Sequence, residues 1–92
     1  MAIIRIHALV EGRVQGVFFR AFTVEEANRL CLSGWVRNLA NGSVETEFQG
    51  EETEVGRMVN WLHQGSPLSQ VSRVRTNPCQ TVEQEAGFMV KH

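Results

Sequence analysis

Period-two and helical hydrophobic patterns alternate along this 92-residue chain in the order strand, helix, strand, strand, helix, strand. That order predicts an α+β two-layer sandwich. Two further observations sharpen the class. An Asn41-Gly42 pair links the middle strands, and both residues tolerate the positive φ that a tight antiparallel hairpin needs. Each helical segment carries one apolar stripe, so both helices can cover the same face of an antiparallel sheet.

The first strand is read from Ile4, Ile6, Ala8 and Val10, which alternate with Arg5, His7 and Leu9 as a strand with one well-buried face requires. The run Glu11 to Val17 holds two glycines, breaks the alternation and reads as a loop. Phe19, Phe22, Val24, Ala27, Leu30 and Cys31 then recur at helical spacing, with Glu25, Glu26, Asn28 and Arg29 on the other side, and Gly34 is the expected stop. Trp35 to Leu39 and Val44 to Phe48 are strands two and three. Val55, Met58, Val59 and Leu62 mark a second helix, with Glu51, Glu52 and Glu54 ahead of it where the helix dipole favours negative charge. Gly65-Ser66-Pro67 ends that helix, Val71 to Thr76 gives a fourth strand, and Pro78 falls in the connection that follows. Phe88 and Val90, within Gly87 to Lys91, offer a last short strand. This is the ferredoxin-like β-α-β-β-α-β sandwich, with both helices on one face and a short extra C-terminal strand. Residues 1–92 are expected to form one domain.

Composition narrows the function classes. A net charge of -1 argues against a protein that lives on a phosphate backbone, so any anion site is local. Glu45 and Glu47 also face away from Val44 and Phe48, where an RNA-binding sheet of this order would expose stacking aromatics. Cys31 and Cys79 stand far apart with no ligand-spaced partners, which predicts reduced cysteines in a cytoplasmic protein and no metal site. Cys31 is placed on the apolar side of the first helix, as a core residue. Neither a signal peptide nor a membrane span is expected. His7, His63 and His92 are scattered singles, and no serine has a His and acid partner at a recognisable spacing. Trp35 and Trp61 read as packing residues, and a monomer is the simplest expectation.

Two segments remain as candidates for chemistry. Gly12-Arg13-Val14-Gln15-Gly16-Val17-Phe18-Phe19-Arg20 is a glycine-bearing loop entering a helix, where unpaired amides and the helix dipole can converge on an anion. Arg20 could add a planar guanidinium to hold two oxygens of a phosphate or carboxylate. The competing reading is a turn shaped by glycines with Arg20 solvated at the surface. Asn38, at the end of strand two, could position a water, because its amide both donates and accepts; it could equally be a turn-compatible residue.

Taken together, these runs resemble the acylphosphatase family. The run from Gly12 to Arg20 resembles that family's first signature, and Gly34-Trp35-Val36-Arg37-Asn38 with Asn41-Gly42-Ser43-Val44-Glu45 resembles its second. Gly87-Phe88-Met89-Val90-Lys91 looks like its last strand, so the likeness runs from about Ile4 to Lys91. The resemblance implies hydrolysis of acyl phosphates to a carboxylate and inorganic phosphate, with no cofactor or metal. By similarity, Arg20 and the loop residues Gln15, Gly16, Val17, Phe18 and Phe19 bind the phosphoryl oxygens, while Asn38 orients the attacking water. Phe18 stands where the family often has a smaller residue, and its bulk is expected to shape the acyl side of the pocket. The alternative is a catalytically weak anion- or acyl-phosphate-binding module on the same fold.

Overall fold

The computed structural model describes residues 2–92. Seven elements follow one another: β1 (Ile3–Arg13), α1 (Phe19–Arg29), β2 (Ser33–Asn38), β3 (Val44–Glu51), α2 (Glu52–Gln64), β4 (Gln70–Cys79) and β5 (Phe88–Val90). They form one five-stranded sheet in the order β4-β1-β3-β2-β5. The four long strands pair antiparallel, whereas β5 joins β2 in parallel, so the expected antiparallel sheet ends in one parallel pair.

The core lies between the sheet and the two helices. Ala8 and Val10 of β1, Val36 of β2, and Val44 and Phe48 of β3 meet Phe19 and Ala27 of α1 and Val55, Met58 and Leu62 of α2, all of them buried. Phe19 and the partly buried Trp61 join the two helices with ring centroids 5.6 Å apart. Trp61 thus packs as expected. Trp35 does not: it lies on the open sheet face, beneath the cations of Arg37 at 5.5 Å and Lys91 at 4.3 Å.

The structure moves several boundaries read from the sequence. β1 continues through Arg13, because β4 supplies a partner out to Gln70, with a register shift between Glu11 and Gly12. α1 stops at Arg29, and Cys31 adopts φ 59 just beyond its end. The Leu32 amide donates to Ala27 at 2.9 Å and the Cys31 amide to Asn28 at 3.1 Å, the paired bonds of a Schellman cap. Cys31 is therefore exposed, not core. Gly34, expected as the helix stop, sits inside β2, where a Cβ would lie 1.9 Å from the Glu47 carbonyl oxygen. Only a residue without a side chain permits that approach. At the hairpin only Gly42 has positive φ; the Gly42 amide bonds Leu39 at 3.2 Å and the Leu39 amide bonds Ser43 at 2.9 Å, a four-residue turn with a glycine bulge. Pro78 lies within β4 opposite Ile6, which an edge strand tolerates because its outer side needs no donor.

Candidate active site

A cavity of about 450 Å³ opens where the β1–α1 loop, the start of α1, the end of β2 and the C-terminal residues meet. The bulge at Glu11 and Gly12 creates the space. β1 leaves β3 after Val10 but stays on β4 through Arg13, so the following residues peel away over the end of the hairpin. Gln15, Gly16 and Phe18 of the loop, Phe19 and Arg20 of α1, and Asn38 of β2 all line the cavity. Val90 and His92 close it from the other end of the chain.

The two helices begin differently. α2 is capped by Glu51, whose side chain accepts from the Thr53 amide at 3.1 Å, and carries Glu52 and Glu54 in its first turn. The acidic run expected there does complement the dipole. α1 has no side-chain cap and no acidic residue in its first turn; Phe18 precedes it in the left-handed region, at φ 60 and ψ 23. Its first amides are left to whatever occupies the cavity, and the positive end of the helix favours an anion there.

Arg20 stands in that turn, half-buried, and among the described residues it belongs to none of the ion pairs. An arginine without a carboxylate beside an uncapped helix start gives the cavity positive character. Asn38 adds a neutral polar group. Its Oδ1 is buried with no hydrogen-bond partner, alone in that respect among the described side-chain atoms. Leaving such an atom unpaired costs about 1–3 kcal/mol, a cost that natural cores rarely carry without a use.

Gln15 fastens the two halves together. Its Nε2 donates to the Leu39 carbonyl at 2.8 Å and the Ser43 carbonyl at 2.9 Å, the two carbonyls that flank the turn directly after Asn38. Below the loop, the buried Ser66 hydroxyl donates to the Val17 carbonyl at 3.0 Å. The Val17 side chain lies in the core and is not part of the cavity wall, unlike the other loop residues named above. Arg20 and Asn38, read separately from the sequence, thus share one cavity. The Gln15 side-chain bonds, the Ser66 anchor and the contributions of Val90 and His92 were not legible, since each joins segments distant in sequence. Among the described residues, no three His, Cys, Asp or Glu side chains gather as a metal site would need, and no helix is long and apolar enough to cross a membrane.

Comparison with known proteins agrees in sequence and in shape. The family model described as Acylphosphatase matches residues 6–90. The chain is 48% identical over 93 residues to an acylphosphatase of Pseudomonas aeruginosa, covering 99% of each. The structure of an acylphosphatase from Coxiella burnetii superposes with a TM-score of 0.91 at 39% identity, over 97% of this chain and 93% of that one. The crystal structure of acylphosphatase from Bacillus subtilis gives a TM-score of 0.92 at 34% identity, over 97% and 99%. A family match across nearly the whole sequence, joined to near-half identity over full-length relatives, shows that this chain belongs to the acylphosphatase family.

Proposed function

We propose that Arg20 and the backbone amides from Gln15 to Phe19 hold the phosphoryl group of an acyl phosphate, while the Asn38 side chain orients the water that attacks phosphorus. The family's reaction is hydrolysis of acyl phosphates; here the carboxyl–phosphate bond breaks, releasing carboxylate and inorganic phosphate. One observation carries the assignment of roles. A single cavity joins an uncapped helix start, an arginine and a buried amide oxygen that both lack a partner among the described residues. An amide can turn either its donor or its acceptor end to a water by a half-turn of its terminal bond.

The chemistry asks for little more. The leaving group is a carboxylate, whose conjugate acid has a pKa near 4, so it departs without a strong general acid. Charge on the phosphoryl oxygens grows and shifts in the transition state, where fixed amides and a guanidinium stabilise it most. Holding the water in line removes much of the remaining entropic barrier. No step in this reading calls on a metal.

The test is benzoyl phosphate hydrolysis followed by ultraviolet absorbance, with EDTA present, for the protein and two variants. R20Q is expected to lose turnover by about 10³-fold and to lose phosphate inhibition with it, because the amides alone under-compensate the phosphoryl charge. N38A is expected to lower kcat about 10²-fold and leave phosphate inhibition in place. An R20Q protein that keeps most of its activity would overturn the phosphate assignment. Equal loss of phosphate affinity in N38A would make Asn38 a loop-shaping residue. Phosphate binding without any turnover would favour the weakly catalytic binding module.

A further inference from the structure

We infer that the cavity has an apolar half that receives the acyl group, and that Phe18 makes it selective for flat aromatic acyl groups over acetyl-sized ones; this rests on the acyl phosphate reading above. The first ground is volume. A phosphoryl group fills on the order of 100 Å³ if each of its four oxygens takes the ~30 Å³ share of a water. The cavity holds about 450 Å³, so most of it lies beyond the phosphate. The second ground is lining. Apart from Arg20, Asn38, Gln15 and His92, the side chains of the wall are apolar, and none of them can donate to an oxyanion.

The third ground is Phe18 itself. Its side chain is not part of the core, since the residue is 71% exposed. Its backbone sits at φ 60, where a bulky side chain is disfavoured and glycine would be at ease. Neither packing nor backbone geometry therefore accounts for a phenylalanine at this position. Contact with an apolar ligand does, because Phe18 is exposed and lines the same cavity as Arg20 and Asn38. A ring face gains most from another ring laid against it, at an offset or edge-on, whereas an acetyl group offers one methyl.

The experiment compares kcat/KM for benzoyl phosphate and acetyl phosphate in the unaltered protein, F18G and F18Y, alongside inhibition by inorganic phosphate. F18G keeps a residue at ease in the left-handed region, so the loop backbone is spared. The benzoyl-to-acetyl ratio is expected to fall about three- to tenfold in F18G, through KM for benzoyl phosphate. F18Y should retain the ratio. An unchanged ratio in F18G overturns the inference. So does an equal loss on both substrates with weakened phosphate inhibition, which would mean that the ring supports the loop. Turnover of neither substrate by the unaltered protein would instead remove the function on which the inference rests.

Discussion

Cys31 occupies the position after the α1 C-cap that a Schellman motif most often gives to glycine, and it does so at φ 59. A side chain there crowds the following carbonyl, at a cost of about 1–2 kcal/mol, which the more flexible unfolded chain of a glycine variant offsets in part. C31G is accordingly expected to stabilise the fold by up to about 1 kcal/mol, raising the melting temperature by at most roughly 4–8 °C for a domain of this size. Thermal unfolding followed by circular dichroism checks it; a lower melting temperature would show that the thiol packs favourably in the groove it shares with Asn28 and Leu32. Phe18 and Gln84 meet the same backbone penalty, at φ 60 and 61, and Phe18 does so in the cavity wall at the start of α1. For Phe18 the proposed contact with the acyl group sets a function against that cost.

At the scale of elements, the cavity is a junction between the β1–α1 loop and the β2–β3 hairpin, and Gln15 is what joins them. Q15L keeps the bulk of the side chain and removes its two donated bonds. It is expected to lower kcat about tenfold while leaving phosphate inhibition in place, because the hairpin can then shift Asn38 relative to the bound phosphoryl group. The discriminating measurement is a double-mutant cycle with N38A: once the amide is gone, Q15L should cost no further kcat. Additive losses would confine Gln15 to holding the fold together. These bonds also mark where the sequence stops being readable. The alternation in Ile4 to Val10 and the spacing of Val55, Met58, Val59 and Leu62 are local patterns, and they placed β1 and α2 correctly. The extension of β1 to Arg13 depends on β4, and Gly34 belongs to a strand because β3 approaches it closely. Neither fact is present in a short window of sequence. Arg20 and Asn38 were singled out through the family likeness, while the Gln15 bonds that join their segments could only be seen folded.

Across the whole molecule, the sheet face without helices is tied by ions. Arg37 and His7 both bond Glu45, at 2.6 and 2.7 Å, and Arg75 bonds Glu11 at 2.6 Å. The centre of this face is Arg5, only 2% exposed, although the alternation of β1 assigned it to the side away from the core. Its guanidinium bonds Glu47 at 2.7 Å and Glu85 at 2.7 and 3.2 Å. Beside it, Gln49 exchanges bonds with the Val82 backbone at 2.8 and 2.9 Å. Together they pin the segment between β4 and β5, and so place β5 and Val90 against the cavity. R5M should therefore destabilise the fold by about 3 kcal/mol, since it strands two carboxylates that were paired, and proteolysis should begin between Gln80 and Gly87. The pH dependence separates charge from packing. Glu85 is held below the usual carboxylate range by its bonds from Arg5, which outweigh the opposing effect of burial. Burial acts upward on Glu45 more than any single contact, yet the bonds from His7 and Arg37 together bring it below that range as well. A carboxyl depressed in the folded state contributes stability that is fully present above its unfolded pKa, about 4.3, and is lost as pH falls through the folded value. In R5M the contribution of Glu85 is already absent, so the variant has less to lose on acidification. The melting-temperature gap between the two proteins should be widest near pH 7 and shrink steadily below about pH 4.3. A gap that stays constant down to pH 3 would mean that Arg5 supports this face through its packed stem and not through its charge.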